Sequence, residues 1–207
     1  MSPTIRCLIC GVALVIAGCQ SSQPVPTDRF FRLEAVTGAI AALPILNEGL
    51  YVSPLRAEGP YAERAMLYAS ANRPRELQQY HYQFWSEPPA ALLQEHLRVS
   101  LQAMAMAPRV TDVSTGSGIG FVLNAKVLRL EKLIGSDGGV DGGNARAVVA
   151  LHFALQRKQP FALLLERSYM VEEVVGENTQ HGYVLASEAA LKKVYMRLAE
   201  DIKSLPK

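Results

Sequence analysis

Cys19 is the residue whose neighbours prescribe a covalent reaction. It closes the run Ile16-Ala17-Gly18-Cys19, and an apolar stretch from Cys7 to Gly18 precedes it. That stretch has the length of a signal-peptide core and falls well short of the ~20 residues a spanning helix needs. Small residues just before the cysteine suit a peptidase cleft. The four residues match the bacterial lipobox. There the cysteine thiol attacks a diacylglycerol donor, the signal is cut before the cysteine, and the new amino group takes a further acyl chain such as palmitate. One chain holds a protein to a membrane marginally, at ~0.8 kcal/mol per buried methylene, and two or more hold it stably. Residues 1–18 therefore read as a lipoprotein signal, and Cys19 as a lasting membrane anchor. An Asp after the cysteine retains such proteins at the inner membrane of many Gram-negative bacteria. Gln20 stands there instead and points to the outer membrane, with the chain facing the periplasm.

The other chemistry-bearing groups do not assemble into a site. Gly116-Ser117-Gly118-Ile119-Gly120 has neither dinucleotide-fingerprint nor P-loop spacing, and it leads into a strand where a phosphate-cradling helix is required. It is no nucleophile elbow either. Asp137 and Asp141 lie among glycines without the further carboxylates of a calcium loop. His81, His96, His152 and His181 are scattered and lack metal-ligand spacing. Ser204-Leu205-Pro206-Lys207 has Ser-x-x-Lys spacing at a fraying end, where nothing holds a site in place. Glu172 and Glu173 are adjacent, so their carboxyls point apart. The expectation is a protein without catalytic residues, metal or cofactor. The aromatic set Tyr80, Tyr82 and Trp85, followed by Glu87-Pro88-Pro89, reads either as core at a strand-to-helix corner or as a surface for a partner or ligand.

Composition narrows the class. The chain has 207 residues, and removal of the signal takes away one charge, Arg6, so the formal net charge falls from +2 to about +1. A near-neutral balance gives no electrostatic case for nucleic acid. Cys7 and Cys10 leave with the signal, so no disulfide can form within the mature chain and packing must hold the fold.

Elements able to position these residues follow from periodicity. Residues 19–28, including Ser21 to Thr27, read as a flexible proline-bearing tether, and residues 29–207 as one domain. Phe30 to Leu33, Leu50 to Val52 and Ala65 to Ala69 are short strands. Leu77 to Trp85 is a strand that alternates aromatic and polar residues, and Tyr80, Tyr82 and Phe84 are expected to pack inward. Pro88-Pro89 starts a helix whose apolar stripe is Ala90, Leu93, Leu97, Leu101 and Met104. Thr111 to Gly120 is a loop. A strand from Phe121 changes parity near Leu128 and Leu130, the mark of a bulge. With the strand around Val149 to Leu155 and the one from Leu163 to Val171 it makes an antiparallel meander. Glu172 to Gly182 is irregular. A last helix, about Leu185 to Leu205, is expected to bury Leu191, Val194, Leu198, Ile202 and Leu205. The predicted class is α+β: an antiparallel sheet with two main amphipathic helices packed on it in a layered single domain.

The order of these features resembles the ABC-type transport auxiliary lipoproteins, the family of paraquat-inducible protein C. The resemblance lies in the lipobox, the Phe30-Phe31-Arg32-Leu33 strand, the Tyr-x-Tyr-x-x-Trp-x-Glu-Pro corner from Tyr80 to Pro88, the leucine-spaced helix, and the closing helix ending in Asp201-Ile202. It covers nearly the whole mature chain and departs at Phe84, where the family pattern has an arginine. It implies a non-enzymatic component of an MCE-type system, in which an inner-membrane ATPase and permease work with MCE proteins that carry lipid across the periplasm. The implied partners are an MCE-domain protein directly, the permease and ATPase indirectly, the outer membrane through the anchor, and phospholipid as cargo. A homo-oligomer is left open. Of single residues only Cys19 is carried over. The alternative is a lipid- or hydrophobic-ligand-binding lipoprotein that acts independently of an MCE system.

Overall fold

The computed structural model describes residues 26–35, 43–135 and 145–205. Cys19, the signal, most of the tether, Asp137, Asp141, Pro206 and Lys207 lie outside them. Strand β6 (Ile119–Ile134) organises the domain. Along one side it pairs over its length with β7 (Arg146–Arg157), which pairs in turn with β8 (Ala162–Val174); both pairings are antiparallel. This is the expected meander, and it has the expected bulge, because the register with β7 shifts between Val127 and Arg129. The bulge changes the parity of β6. Phe121, Leu123, Ala125 and Val127 are buried before it, Leu128 is exposed, and Leu130 and Lys132 are buried after it.

Two strands share the other side of β6, end to end. β2 (Gly49–Val52) runs parallel to its start and β3 (Ala65–Ser70) parallel to its end, pairing Tyr68 with Lys132 and Ser70 with Ile134. Between them Arg56 forms an isolated parallel bridge with Lys126 of β6, and the chain leaves the sheet in a short 3-10 turn, Gly59–Ala62. β4 (Arg73–Trp85) lies antiparallel on β3 and β1 (Arg29–Phe31) parallel on β4, while β5 (Val110–Thr111) lies parallel on β2. The α+β class with two helices on one sheet stands; the sheet is mixed, because β1 pairs with β4, β5 with β2, and β2 and β3 with β6 in parallel, beside the antiparallel β3–β4 pair and meander. Sequence periodicity carries no information on strand direction, and these pairings join residues far apart in the chain.

Both helices cover the same face. α1 (Pro89–Ala103) starts with Pro88 as its cap and Pro89 in its first turn, where the missing N–H costs nothing. Leu93, Leu97 and Leu101 are fully buried, each worth roughly 2 kcal/mol or more in apolar transfer. α2 (Gln180–Lys203) begins earlier than its apolar stripe suggests. Thr179 caps it, its Oγ accepting the Gly182 N–H at 3.0 Å. Gly182 is required there, since a Cβ would stand 2.1 Å from the Glu177 carbonyl oxygen. The stretch read as irregular, Glu172 to Gly182, is therefore split: β8 runs on to Val174 and the helix opens at Gln180. Among the described residues no helix is long and apolar enough to cross a membrane.

Residues 32–35 bind the helices together. The Glu34 N–H donates to Glu188 of α2 at 2.7 Å, and its carbonyl accepts from His96 of α1 at 3.2 Å. His96 is 3% exposed. A carbonyl only accepts, so Nε2 carries the proton and Nδ1 accepts the Tyr195 hydroxyl at 3.3 Å. Burial pushes the His96 imidazole down to about 4, and the ring is neutral.

Candidate functional site

A cleft of about 650 Å³ opens where the end of β6 passes under the N-terminus of α2. Three elements build it. β6 contributes Lys132 and Ile134, which the bulge has turned onto the helix-facing side. β3 and β4 contribute Tyr68 and Tyr80, whose rings lie 4.5 Å apart. α2 and its cap contribute Thr179, Gln180 and His181. The volume falls in the range of small-molecule sites, roughly 300–1,000 Å³.

Its polar groups are incompletely matched. Lys132 is 3% exposed, and among the described residues its ammonium has no hydrogen bond or ion pair. Desolvation by burial lowers the Lys132 amine from its ordinary range. The Gln83 and Gln180 side-chain oxygens are also buried and lack a hydrogen-bond partner. The Gln180 side chain bonds the Tyr80 hydroxyl, so only its oxygen is spare. Among the described residues of the lining there is no carboxylate, and Arg29, Lys132 and His181 are basic. The positive end of the α2 dipole adds to that field.

The opposite face of β6 holds a second buried charge, and that one is matched. Glu131 is 2% exposed and accepts from the Tyr61 hydroxyl and from Arg129, whose Nε lies 3.1 Å away. Tyr61 comes from the 3-10 turn, so the excursion between β2 and β3 covers this carboxylate. The acid holds the Tyr61 hydroxyl well above its usual range, after the larger effect of burial. This network is structural: each partner is satisfied.

The aromatic trio named from the sequence is dispersed. Tyr80 is half-buried and lines the cleft; Tyr82 is exposed. Trp85 is 1% exposed, with its ring 5.9 Å from Tyr183 of α2, so it belongs to the core and to no surface. The expectation that Tyr80, Tyr82 and Phe84 face inward together is corrected as well. Ala65 pairs with Phe84 but Leu67 with Gln79, so β4 carries extra residues opposite β3 and its alternation breaks. Phe84 stacks on Phe30, the partner β1 supplies, at 5.7 Å. Arg64 then lies over the Phe30 ring at 5.1 Å.

His152 bonds Ser168 at 3.1 Å, and His81 is exposed beside Tyr82. Gly118 and Gly116 take positive φ in the turn before β6. Among the described residues no group of three or more His, Cys, Asp or Glu is placed to hold a metal. Lys132, Gln83 and Gln180 were not singled out by sequence reasoning. The signal for Lys132 was present: past the parity change, its place two residues after Leu130 puts it on the buried side.

No protein-family model matches the chain, and no curated protein matches it. Solved structures do. A lipoprotein structure from Caulobacter crescentus is 13% identical over 73% of this chain and 88% of its own, and its TM-score of 0.39 is too low to carry weight. An uncharacterized protein is 16% identical with a TM-score of 0.66, covering 86% of this chain and 99% of its own. A Xanthomonas campestris protein of the DUF330 family is 18% identical with a TM-score of 0.68, over 83% of this chain and 92% of its own. At such identities the likeness is one of fold, and this chain has the fold of that DUF330 protein over most of both lengths.

Proposed function

We propose that the protein is a non-enzymatic lipoprotein, anchored through acylated Cys19 in the outer membrane, that docks an MCE-type transport system from the periplasmic side and supports lipid passage and envelope integrity. The observation that carries the reading is the lipobox Ile16-Ala17-Gly18-Cys19 set ahead of a domain whose ordered features follow the auxiliary-lipoprotein pattern. The DUF330 fold likeness is in keeping with it. Triacylation fixes the chain at the membrane, and the segment from Cys19 to Thr27 lets the domain stand off the surface. The test is mass spectrometry of the native lipoprotein with its copurifying proteins. An acylated Cys19 and an MCE-domain partner are expected. Recovery without any MCE protein, together with normal detergent resistance of a deletion strain, overturns the docking role.

A second reading, a domain that itself holds a hydrophobic ligand, is favoured by the cleft under α2. Such a ligand needs a concave site with apolar walls and a few fixed polar groups, and Phe31, Tyr68, Tyr80 and Ile134 supply the walls. Copurified lipid extracted from the protein after delipidating washes is the measurement; its absence removes this reading and leaves the first untouched.

A further inference from the structure

We propose that the cleft under the α2 N-terminus binds a phosphate-ester head group that carries hydroxyl or ammonium donors, with Lys132 taking the oxyanion and the Gln83 and Gln180 side-chain oxygens taking the donors. The inference rests on the ligand-holding reading and is independent of any MCE partner.

Three unmet demands point to that chemistry. Lys132 is 3% exposed, its ammonium has no counterion among the described residues, and it lines the cleft. A buried, unpaired charge is among the most costly arrangements in a fold, so an anion that arrives there gains what the protein itself leaves unmatched. Secondly, the two amide oxygens are acceptors without a hydrogen, and an oxyanion alone cannot satisfy them. They call for O–H or N–H donors on the same ligand, as glycerol phosphate or ethanolamine phosphate provides. Thirdly, the cleft is roomier than a bare phosphate requires, and the Tyr68 and Tyr80 rings extend it as an apolar wall. Among the described residues the lining has no carboxylate to repel the anion, and Arg29, His181 and the helix dipole reinforce its attraction.

The lowered Lys132 amine agrees with this arrangement. It is depressed by desolvation alone, so a bound anion restores it and the protein takes up a proton on binding in alkaline solution. Arg29, His181, Tyr68 and Tyr80 are the other titratable groups facing it across the cleft. Binding is therefore assayed at neutral pH, away from the alkaline range in which proton uptake accompanies it.

The experiment is calorimetry on the full lipidated chain in dodecyl maltoside. The titrants are glycerol phosphate, dihexanoylphosphatidylglycerol and dihexanoylphosphatidylcholine. The variants are Lys132→Met and Lys132→Arg. Lys132→Met removes an unpaired buried charge, so it is expected to fold and to melt higher than the wild type. The expected result is binding of phosphatidylglycerol that weakens about tenfold or more in Lys132→Met, is partly kept in Lys132→Arg, and is weaker for phosphatidylcholine, which offers no donor. Glycerol phosphate separates the two sources of the head group. Binding as tight as the lipid's assigns the cleft to the free head group, and weaker binding assigns it to the lipid. Phosphatidylglycerol bound equally by wild type and Lys132→Met overturns the proposal while the ligand-holding reading survives. Equal affinity for phosphatidylcholine and phosphatidylglycerol overturns the assignment of the amide oxygens and with it the proposal. A wild type that takes up none of the three overturns both.

Discussion

Acid should loosen this domain through His96 before it reaches the ordinary carboxylates. The imidazole is 3% exposed and lowered to about 4 from an ordinary 6.5. Desolvation is the main cause, opposed by the hydrogen bond to the Glu34 carbonyl. The unfolded chain binds a proton at 6.5 and the folded chain only near 4. The stability difference is therefore fully present above 6.5, falls as the pH drops through the window from about 6.5 to about 4, and is exhausted below it. A depression of that size at 1.36 kcal/mol per pH unit costs about 3 kcal/mol, undiminished by solvent screening because the ring is buried. Glu188, raised by burial, acts in the opposite sense and gains stability as its carboxyl takes up a proton. A variant must separate the two. His96→Gln keeps a donor for the Glu34 carbonyl and an acceptor for the Tyr195 hydroxyl but cannot titrate. Urea unfolding of both proteins between neutral pH and pH 4 should show wild-type stability falling by about 3 kcal/mol relative to the variant. Parallel profiles, or an NMR titration placing His96 near 6.5, refute the reasoning.

Removing the arginine beside Glu131 should be the most damaging change on the far side of the sheet. Arg129→Met leaves the 2%-exposed carboxylate with Tyr61 alone and should cost about 3 kcal/mol by chemical denaturation, most of it recovered when Glu131→Gln is added. A loss under about 1 kcal/mol would mean solvent reaches the acid. Gly182→Ala drives a methyl into the Glu177 carbonyl and should cost about 2 kcal/mol, read as a lower melting temperature. An unchanged melt would show that the turn before α2 yields freely. Cys19→Ser should abolish the acyl mass and move the protein from the membrane to the soluble fraction on cell fractionation; continued membrane retention would place the anchor elsewhere.

Much of the fold could be read from periodicity because much of it is local. The α1 stripe Leu93, Leu97 and Leu101 is the buried stripe of the structure, and the parity change at Leu128 is its bulge. What escaped was non-local or broke alternation without a local mark. Nothing near Arg29 or Gly49 says that β1 and β2 run parallel to strands tens of residues later. The extra residues of β4 opposite β3 turned Trp85 inward and left Tyr82 in solvent, against a pattern that read as regular. The start of α2 was hidden because Gln180, His181 and Gly182 are poor announcers of a helix; Thr179 was the available signal. The cleft is assembled from these missed junctions. Tyr80 was named for its aromatic setting, whereas Lys132 needed the bulge to be carried two residues further.

β6 also dictates when this chain can fold during synthesis. Everything from β1 to β5 is made before it, yet β2 and β3 find their common partner only in residues 119–134. Until that stretch emerges, two hydrogen-bonding strand edges stand bare, and the first half of the molecule cannot complete a sheet by itself. A nascent chain halted short of residue 119 is thus an adhesive fragment, and one released past residue 134 already carries the template on which the earlier strands lock.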